Sequence, residues 1–353
     1  MLEFKIEPVY KEFPSLYSGD MSAPLAEQLP NVVQFELSRG CTHNACTYCD
    51  LFRGEKNEIN EDYNKHVRRV LEELESARKL QGKERIFIGN GDALSVPTEK
   101  LRAAIDTSIE LFSDYTGKLP RRVAMYASVK NVLSKPVDEL KELYCGGTCY
   151  KGCSVGRFEK RIGLELVYLG LETGDDELLR FVAKGCTQEE ELEAVRRLRK
   201  AGTYRSQIRV SAFVMPGLGG RRFFQQHIDG TVQVLNKLEP SFINLMTIHP
   251  HQDSVYARRM KTEFLKGENR PLTPAEVAEQ IARIIEGINF ETTVGCFDNS
   301  TYLGVDTNPV KFPSTKLIWH WDKTDLTQKI REQAKALEEQ RILDKDRMIH
   351  YLN

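Results

Sequence analysis

The sequence has no run approaching the roughly twenty consecutive apolar residues that a membrane-spanning helix needs. Its first residues, Met1 to Pro8, carry no apolar core of the kind found in a secretory leader, so a cytoplasmic protein is expected. Charge of neither sign dominates: 50 lysines and arginines face 51 acids, which excludes a global field drawing the chain to nucleic acid or to an anionic membrane. Internal repeats and low-complexity tracts are also lacking. What is present is 41% hydrophobic and 29% charged residues over 353 positions, a globular composition with a sizeable core. That length suits one large α/β barrel or two ordinary domains. Six of the eight cysteines fall in two short segments, a distribution that fits metal ligation in a reducing compartment better than a disulfide framework.

Residues 1–30, with Pro8, Pro14, Pro24 and Pro30, read as an N-terminal extension wrapping the core. The chain then alternates. Strands are expected at Val32–Ser38, Arg85–Ile88, Val123–Ala127, Glu165–Leu171, Gln207–Met215, Phe242–Ile248 and Thr292–Cys296. Between them, helical spacing of apolar positions predicts helices over Glu61–Leu80, Thr98–Phe112, Pro136–Tyr144, Asp175–Ala183, Gln188–Ala201, Phe223–Leu238 and Pro274–Ile288. Strands alternating with helices of this length imply a parallel sheet. Six such repeats predict a partial barrel over residues 31–300, with working residues at the carboxyl ends of its strands. Residues 301–353 read as a C-terminal extension with a charged helix, strongest over Lys329–Arg341, packed outside.

Chemistry concentrates just after the first strand, in Glu36-Leu-Ser-Arg-Gly-Cys41-Thr-His-Asn-Ala-Cys46-Thr-Tyr-Cys49-Asp50. Three thiolates at C-x4-C-x2-C spacing can hold three corners of a [4Fe–4S] cube and leave the fourth iron open to a small molecule. With His43 the same cysteines also suit a structural Cys3His zinc site. Gly89-Asn90-Gly91-Asp92, Ser128, Glu172 and Gly217 all fall at or just after later strand ends. Each has a plainer reading: a tight turn at 89–91, a helix cap at Asp92 or Thr98, an ordinary ion pair between Glu172 and Lys184.

In these residues the chain resembles the radical S-adenosylmethionine (SAM) superfamily, over most of residues 32–250. The usual loop there is C-x3-C-x2-C with an aromatic before the last cysteine; Tyr48 fills that place, while the Cys41–Cys46 spacing is one residue longer. The resemblance implies a partial (β/α)6 TIM-like barrel and a [4Fe–4S] cluster on Cys41, Cys46 and Cys49. It places Gly89, Asn90, Gly91 and Asp92 at the SAM amino group, and Glu172 of Gly170-Leu-Glu172-Thr-Gly174 facing SAM. Lys184 falls at the carboxylate, Met215 and Gly217 of Val214-Met-Pro-Gly217 against adenine, and Ser128 near ribose. An oxygen-sensitive enzyme is implied, one that cleaves SAM reductively to a 5′-deoxyadenosyl radical with electrons from a low-potential donor such as flavodoxin or ferredoxin. The chain has no Asp-x-His-x-x-Gly cobalamin signature and no appended basic RNA-binding domain.

A second group, Cys145-Gly-Gly-Thr-Cys149-Tyr-Lys-Gly-Cys153, lies between the expected third helix and fourth strand. Its glycines argue against a stable helix there. The thiols suit an auxiliary iron–sulfur cluster, a zinc ion, or nothing at all, with Cys186 or Cys296 as a possible fourth ligand. A helix-to-strand loop belongs at the amino-terminal face of a barrel, away from the active site. At the other face, His249, His251, Arg221, Arg222, Arg258 and Arg259 follow the fifth and sixth strands. They suit an anionic substrate, or are solvated helix ends. Asp298-Asn-Ser-Thr-Tyr302 is placed to close the open side of the barrel, and Tyr126, Tyr168 and Cys296 are conceivable radical partners. A non-catalytic iron–sulfur or zinc protein acting as redox sensor or scaffold is the competing reading.

Overall fold

Short apolar runs rich in valine, isoleucine and phenylalanine, too short for helices and buried on both faces, form parallel strands. The structure, a computed structural model, describes residues 24, 27, 29–89, 91–145, 154–155, 158–159, 162–202, 207–250, 253–296, 315–317 and 320–343. Its main sheet has eight strands in chain order: β1 (Val32–Glu36), β2 (Arg85–Gly89), β3 (Arg122–Ala127), β4 (Leu164–Glu172), β5 (Arg209–Val214), β6 (Phe242–Leu245), β7 (Thr292–Cys296) and β8 (Thr315–Leu317). The first seven pair in parallel and β8 returns antiparallel against β7. Because β1 and β8 are the two ends of the order, the barrel is open.

The helices are α1 (Tyr63–Ser76), α2 (Thr98–Thr116), α3 (Val129–Leu133), α4 (Val137–Cys145), α5 (Asp176–Phe181), α6 (Gln188–Ala201), α7 (Phe224–Leu238), α8 (Val255–Leu265), α9 (Pro274–Gly287) and α10 (His320–Leu343). α1 shows why they dock: Tyr63, Val67, Val70, Leu71 and Leu74 recur at three- and four-residue steps and are the ones buried. α6 and α9 each begin with a capping box, Thr187 with Glu190 and Thr273 with Glu276, and α9 adds Pro274 in its first turn. α3, α8 and β8 are the elements the sequence reading lacks. The charged tail begins its helix at His320, earlier than expected, and α10 packs against α9.

Alternation along the strands sends one set of side chains outward to the helices and the other into the barrel. The inner set is Val32, Phe87, Ala124, Tyr126, Leu166, Tyr168 and Phe213, all buried. Four of them are aromatic, with the Phe87 and Tyr126 rings edge-on at 5.2 Å and the Tyr168 and Phe213 centroids 6.0 Å apart. Below them, at the amino-terminal ends of β2 and β3, lies Glu27, fully buried. It takes a hydrogen bond from the Tyr168 hydroxyl at 2.7 Å and pairs with Arg122, with Arg85 at 3.9 Å.

Candidate functional site

The cysteine loop leaves β1 and is closed at its base by a two-residue antiparallel bridge, Ser38 against Ile59 and Arg39 against Glu58. Within it Cys41, Cys46 and Cys49 are free thiols, partly exposed. Between Cys41 and Cys46, Asn44 has a φ of 41°, in the left-handed region that asparagine tolerates. The Asn44 amide donates to Cys41 Sγ at 3.4 Å and its side chain to the Phe52 carbonyl at 2.5 Å.

Several contacts bind the loop to the barrel rim. The Thr47 amide donates to Val182 O at 2.9 Å, beyond the end of α5, and the Tyr256 amide at the start of α8 donates to Thr47 O at 2.9 Å. His43 Nε2 donates to Ala183 O at 2.7 Å, with its ring against Gly185. A further contact lies across the base of the loop. Gly91, just after β2, has φ of +58°, and a Cβ there would fall 2.1 Å from Gly40 O. Only glycine permits that approach.

At the end of β4 the strand register shifts between Gly170 and Glu172, and Glu172 sits at φ 69°. A non-glycine residue held in the left-handed region costs on the order of 1 kcal/mol or more, and such strain collects at functional sites. Glu172 Oε1 accepts from Lys184 Nζ at 2.8 Å, and both side chains are nearly buried, at 9% and 11% exposure. A surface ion pair is thereby ruled out. Glu172 Oε2 is buried without a hydrogen-bond partner. Burial alone would depress the Lys184 ammonium, but the charges of Glu172 and Cys46 hold it above its ordinary value. Tyr48 Oη stands 3.5 Å from Lys184 Nζ, and burial followed by the Glu172 charge pushes its hydroxyl well above the phenol range.

Asp92 caps no helix: the N-cap position of α2 is Pro97, without a side-chain cap bond, and Thr98 bonds instead to Glu139 and Lys135. Asp92 Oδ2 accepts from Ser128 N at 2.9 Å and Asn131 Nδ2 at 2.7 Å, while Oδ1 is buried without a partner. Burial raises its carboxyl above the ordinary range. Ser128 Oγ caps α3 by accepting from Asn131 N at 3.2 Å. Asn131 also donates to Thr42 Oγ1 at 2.8 Å, so one amide joins the cysteine loop, Asp92 and α3. After β5, the Met215 amide donates to Glu172 O at 2.9 Å and its side chain packs with Phe181, Phe223 and Tyr256. Gly217 turns at φ +88°, its amide held by Gln280 Oε1 at 2.7 Å.

Among the described residues no three His, Cys, Asp or Glu side chains converge as one metal ion requires. His43 Nε2 is engaged by Ala183 O, which leaves Nδ1 as the acceptor nitrogen of the ring. Thiolates on a cube sit on separate irons and need not crowd about one ion. Burial pushes the Cys49 thiol up to about 11, with Cys46 and Cys41 adding to the rise, so both lie within electrostatic reach of Cys49.

Arg221, Arg222 and Arg259 pair with Glu276, Glu177 and Glu263, and Arg258 donates to Asp253 O. The arginines are engaged within the chain rather than gathered to meet a substrate. His249 is half-buried, and burial lowers its imidazole. Asn90, Cys149, Cys153, His251 and Asp298–Tyr302 lie outside the described residues. Cys145 closes α4, whose last turn abuts Gly163 at the start of β4, so it stands at the amino-terminal end of the sheet. Cys186 stands at the opposite end, within electrostatic reach of Cys46. Asn131, Arg53, Thr47 and Tyr256 were absent from the sequence reading, which weighed His43 only as a zinc ligand. Each acts across a long stretch of chain or through a backbone atom.

No family model matches the chain, and no curated protein matches it. Solved structures do. Elp3 from the archaeon Methanocaldococcus infernus superimposes with a TM-score of 0.50 at 14% identity, covering 87% of this chain and 64% of that one. HydG, a maturase of the [FeFe]-hydrogenase, gives 0.47 at 18% identity, covering 75% and 50%. HemN from Escherichia coli, a coproporphyrinogen III oxidase described as a radical SAM enzyme, gives 0.46 at 12%, covering 73% and 52%. This chain therefore spans under two thirds of the length of each. The fold shared with Elp3 is an open, mostly parallel α/β barrel. At these identities the likeness establishes fold alone.

Proposed function

We propose that the chain is a radical SAM enzyme that cleaves SAM reductively at a [4Fe–4S] cluster and uses the resulting radical to abstract hydrogen from its substrate. One observation carries this: the three-cysteine loop, Gly91 with Asp92, and the strained Glu172–Lys184 pair meet at the carboxyl edge of one parallel sheet. When bound, cluster and SAM supply a one-electron reduction of a sulfonium and a carbon-centred radical. The protein's part is to hold and orient. Cys41, Cys46 and Cys49 would ligate three irons. The donor set suits the zwitterionic end of SAM: the Lys184 ammonium for its carboxylate, and Glu172 Oε2 with Asp92 Oδ1, both buried and unpartnered, for its amino group. Asn90 would extend that contact, with Gly89 and Gly91 admitting close backbone approach. Tyr48 would lie over the same end. Met215 and Gly217 would flank adenine, and Ser128, its hydroxyl engaged as a cap, would act through Asp92 rather than on ribose.

The proposal includes the division into an extension over 1–30, a barrel over 31–300 and an extension over 301–353. It also includes a low-potential donor such as flavodoxin or ferredoxin, oxygen sensitivity and a cytoplasmic setting. No described helix is long and apolar enough to cross a membrane. Cys145, Cys149 and Cys153 are proposed to bind an auxiliary cluster or zinc at the amino-terminal end. A triple alanine variant there should lower metal content per chain.

The test is anaerobic reconstitution followed by reduction in the presence of SAM. The expected products are 5′-deoxyadenosine and methionine, lost in C41A, C46A and C49A. A preparation holding about four irons in the loop that neither binds nor cleaves SAM would favour the redox-sensor alternative.

A further inference from the structure

Arg53 lies just beyond the third cysteine, four residues from Cys49. Its Nη2 donates to both Cys46 O and Cys49 O at 3.0 Å, and its Nε to Asp50 Oδ1 at 2.5 Å. Cys46 O also accepts the Cys49 amide at 3.2 Å, so one carbonyl collects two donors. The guanidinium thus covers the negative ends of two peptide dipoles that belong to two of the three cysteine residues. It is always charged, and its carboxylate partner Asp50 is the residue next to Cys49.

We propose that Arg53 and Asp50 together set the reduction potential of the cluster on Cys41, Cys46 and Cys49, Arg53 raising it and Asp50 lowering it. The inference rests on the cluster reading above. Reduction adds one negative charge to the cube, and that charge is stabilised by a nearby cation and by carbonyls whose negative ends are already occupied. Hydrogen bonding and net charge around a cluster are the protein's levers on its potential. The Arg53 and Asp50 side chains are 41% and 22% exposed, so solvent screens the pair and the effect is moderate. Arg53 is a positioning residue here, acting through the loop and its field rather than by touching SAM.

Redox titration of the reconstituted full chain, followed by electron paramagnetic resonance and paired with iron analysis, tests this without turnover. R53Q should shift the reduction equilibrium about two- to tenfold toward the oxidised cluster, tenfold being about 59 mV for a one-electron couple. D50N should shift it the other way, and R53K should fall between parent and R53Q. A residue that only staples the loop would lose iron in R53Q while leaving the potential of the remaining clusters, and that of D50N, where they were. That pattern overturns the proposal. If R53Q holds no cluster, D50N decides: an unmoved potential overturns it. A parent chain that binds no iron sinks the cluster reading as well, whereas an iron-loaded parent with unmoved variants sinks this inference alone.

Discussion

Lys184 is joined to Glu172 at 2.8 Å in a nearly dry setting, and that decides what each substitution does. Removing one partner strands the other charge, which for a buried pair costs about 3–5 kcal/mol. K184M should therefore lower stability by several kcal/mol, while K184R should keep most of it and weaken SAM binding through altered geometry. Denaturant midpoints alongside SAM affinities check this, and a K184M protein as stable as its parent would contradict the buried pairing. His66 makes a separate, pH-dependent case. Burial first and the Arg69 charge second hold its imidazole down at about 4, and its Nε2 accepts the Glu36 amide at 2.9 Å. The unfolded chain titrates this group near about 6.5 and so binds the proton first. Its contribution is fully present above that value and is lost as pH falls toward about 4. H66Q retains an acceptor without titrating, so the parent should lose stability relative to it between pH 7 and pH 4.5, read as urea midpoints. Parallel profiles would rule the assignment out. Cys41, Cys46 and Cys49 were legible in the sequence because their type and spacing carry the chemistry, and Glu172 with Lys184 only through the resemblance to a family. Asn131 was not: its partner Thr42 lies 89 residues away in sequence and nothing local marks its side chain, while His43 was readable only as a zinc ligand and not through its bond to Ala183, 140 residues away.

At the scale of elements, the cysteine loop is fixed by contacts from three directions. The Ser38–Ile59 bridge shuts its base, Val182 and Tyr256 grip Thr47, and Gly91 lies against Gly40. Adding a methyl group at Gly91 forces a backbone to move, since Gly40 O would be 2.1 Å away and φ is +58°. G91A should thus leave helix content and the denaturant midpoint close to the parent while cutting the iron bound per chain. Circular dichroism with iron analysis separates the two effects; undiminished iron would mean the loop tolerates displacement. The strand ends that build this site were readable from alternation of apolar runs with helical spacing. α8 was not. Tyr256 and Met260 are its buried residues with Glu263, and that last acid, tied to Asn269 and Arg259, breaks the apolar stripe that would have announced a helix.

For the molecule as a whole, the open barrel leaves the question of what seals its amino-terminal end. The lumen is lined with aromatic rings, and beneath them Glu27 supplies a carboxylate to Arg122, to Arg85 and to the Tyr168 hydroxyl. The seven parallel strands follow from the order of strands and helices; the antiparallel eighth does not. This floor does not, because it depends on a residue of the N-terminal stretch meeting strands that begin 58 and 95 positions later. Burial pushes the Glu27 carboxyl above its ordinary range while Arg122, Tyr168 and Arg85 draw it down. Two substitutions separate these influences. E27A removes the acceptor altogether and strands Arg122, itself only 12% exposed, at a cost of about 3–5 kcal/mol. E27Q removes the charge but keeps an oxygen to accept from Arg122 and Tyr168, so the loss should be clearly smaller. Urea unfolding gives the comparison directly: both midpoints should fall, E27A further, with slopes unchanged if the barrel stays cooperative. Equal midpoints for E27A and parent would show that the N-terminal segment does not seal the barrel. Equal losses in the two variants would show that charge, rather than hydrogen bonding, holds the floor.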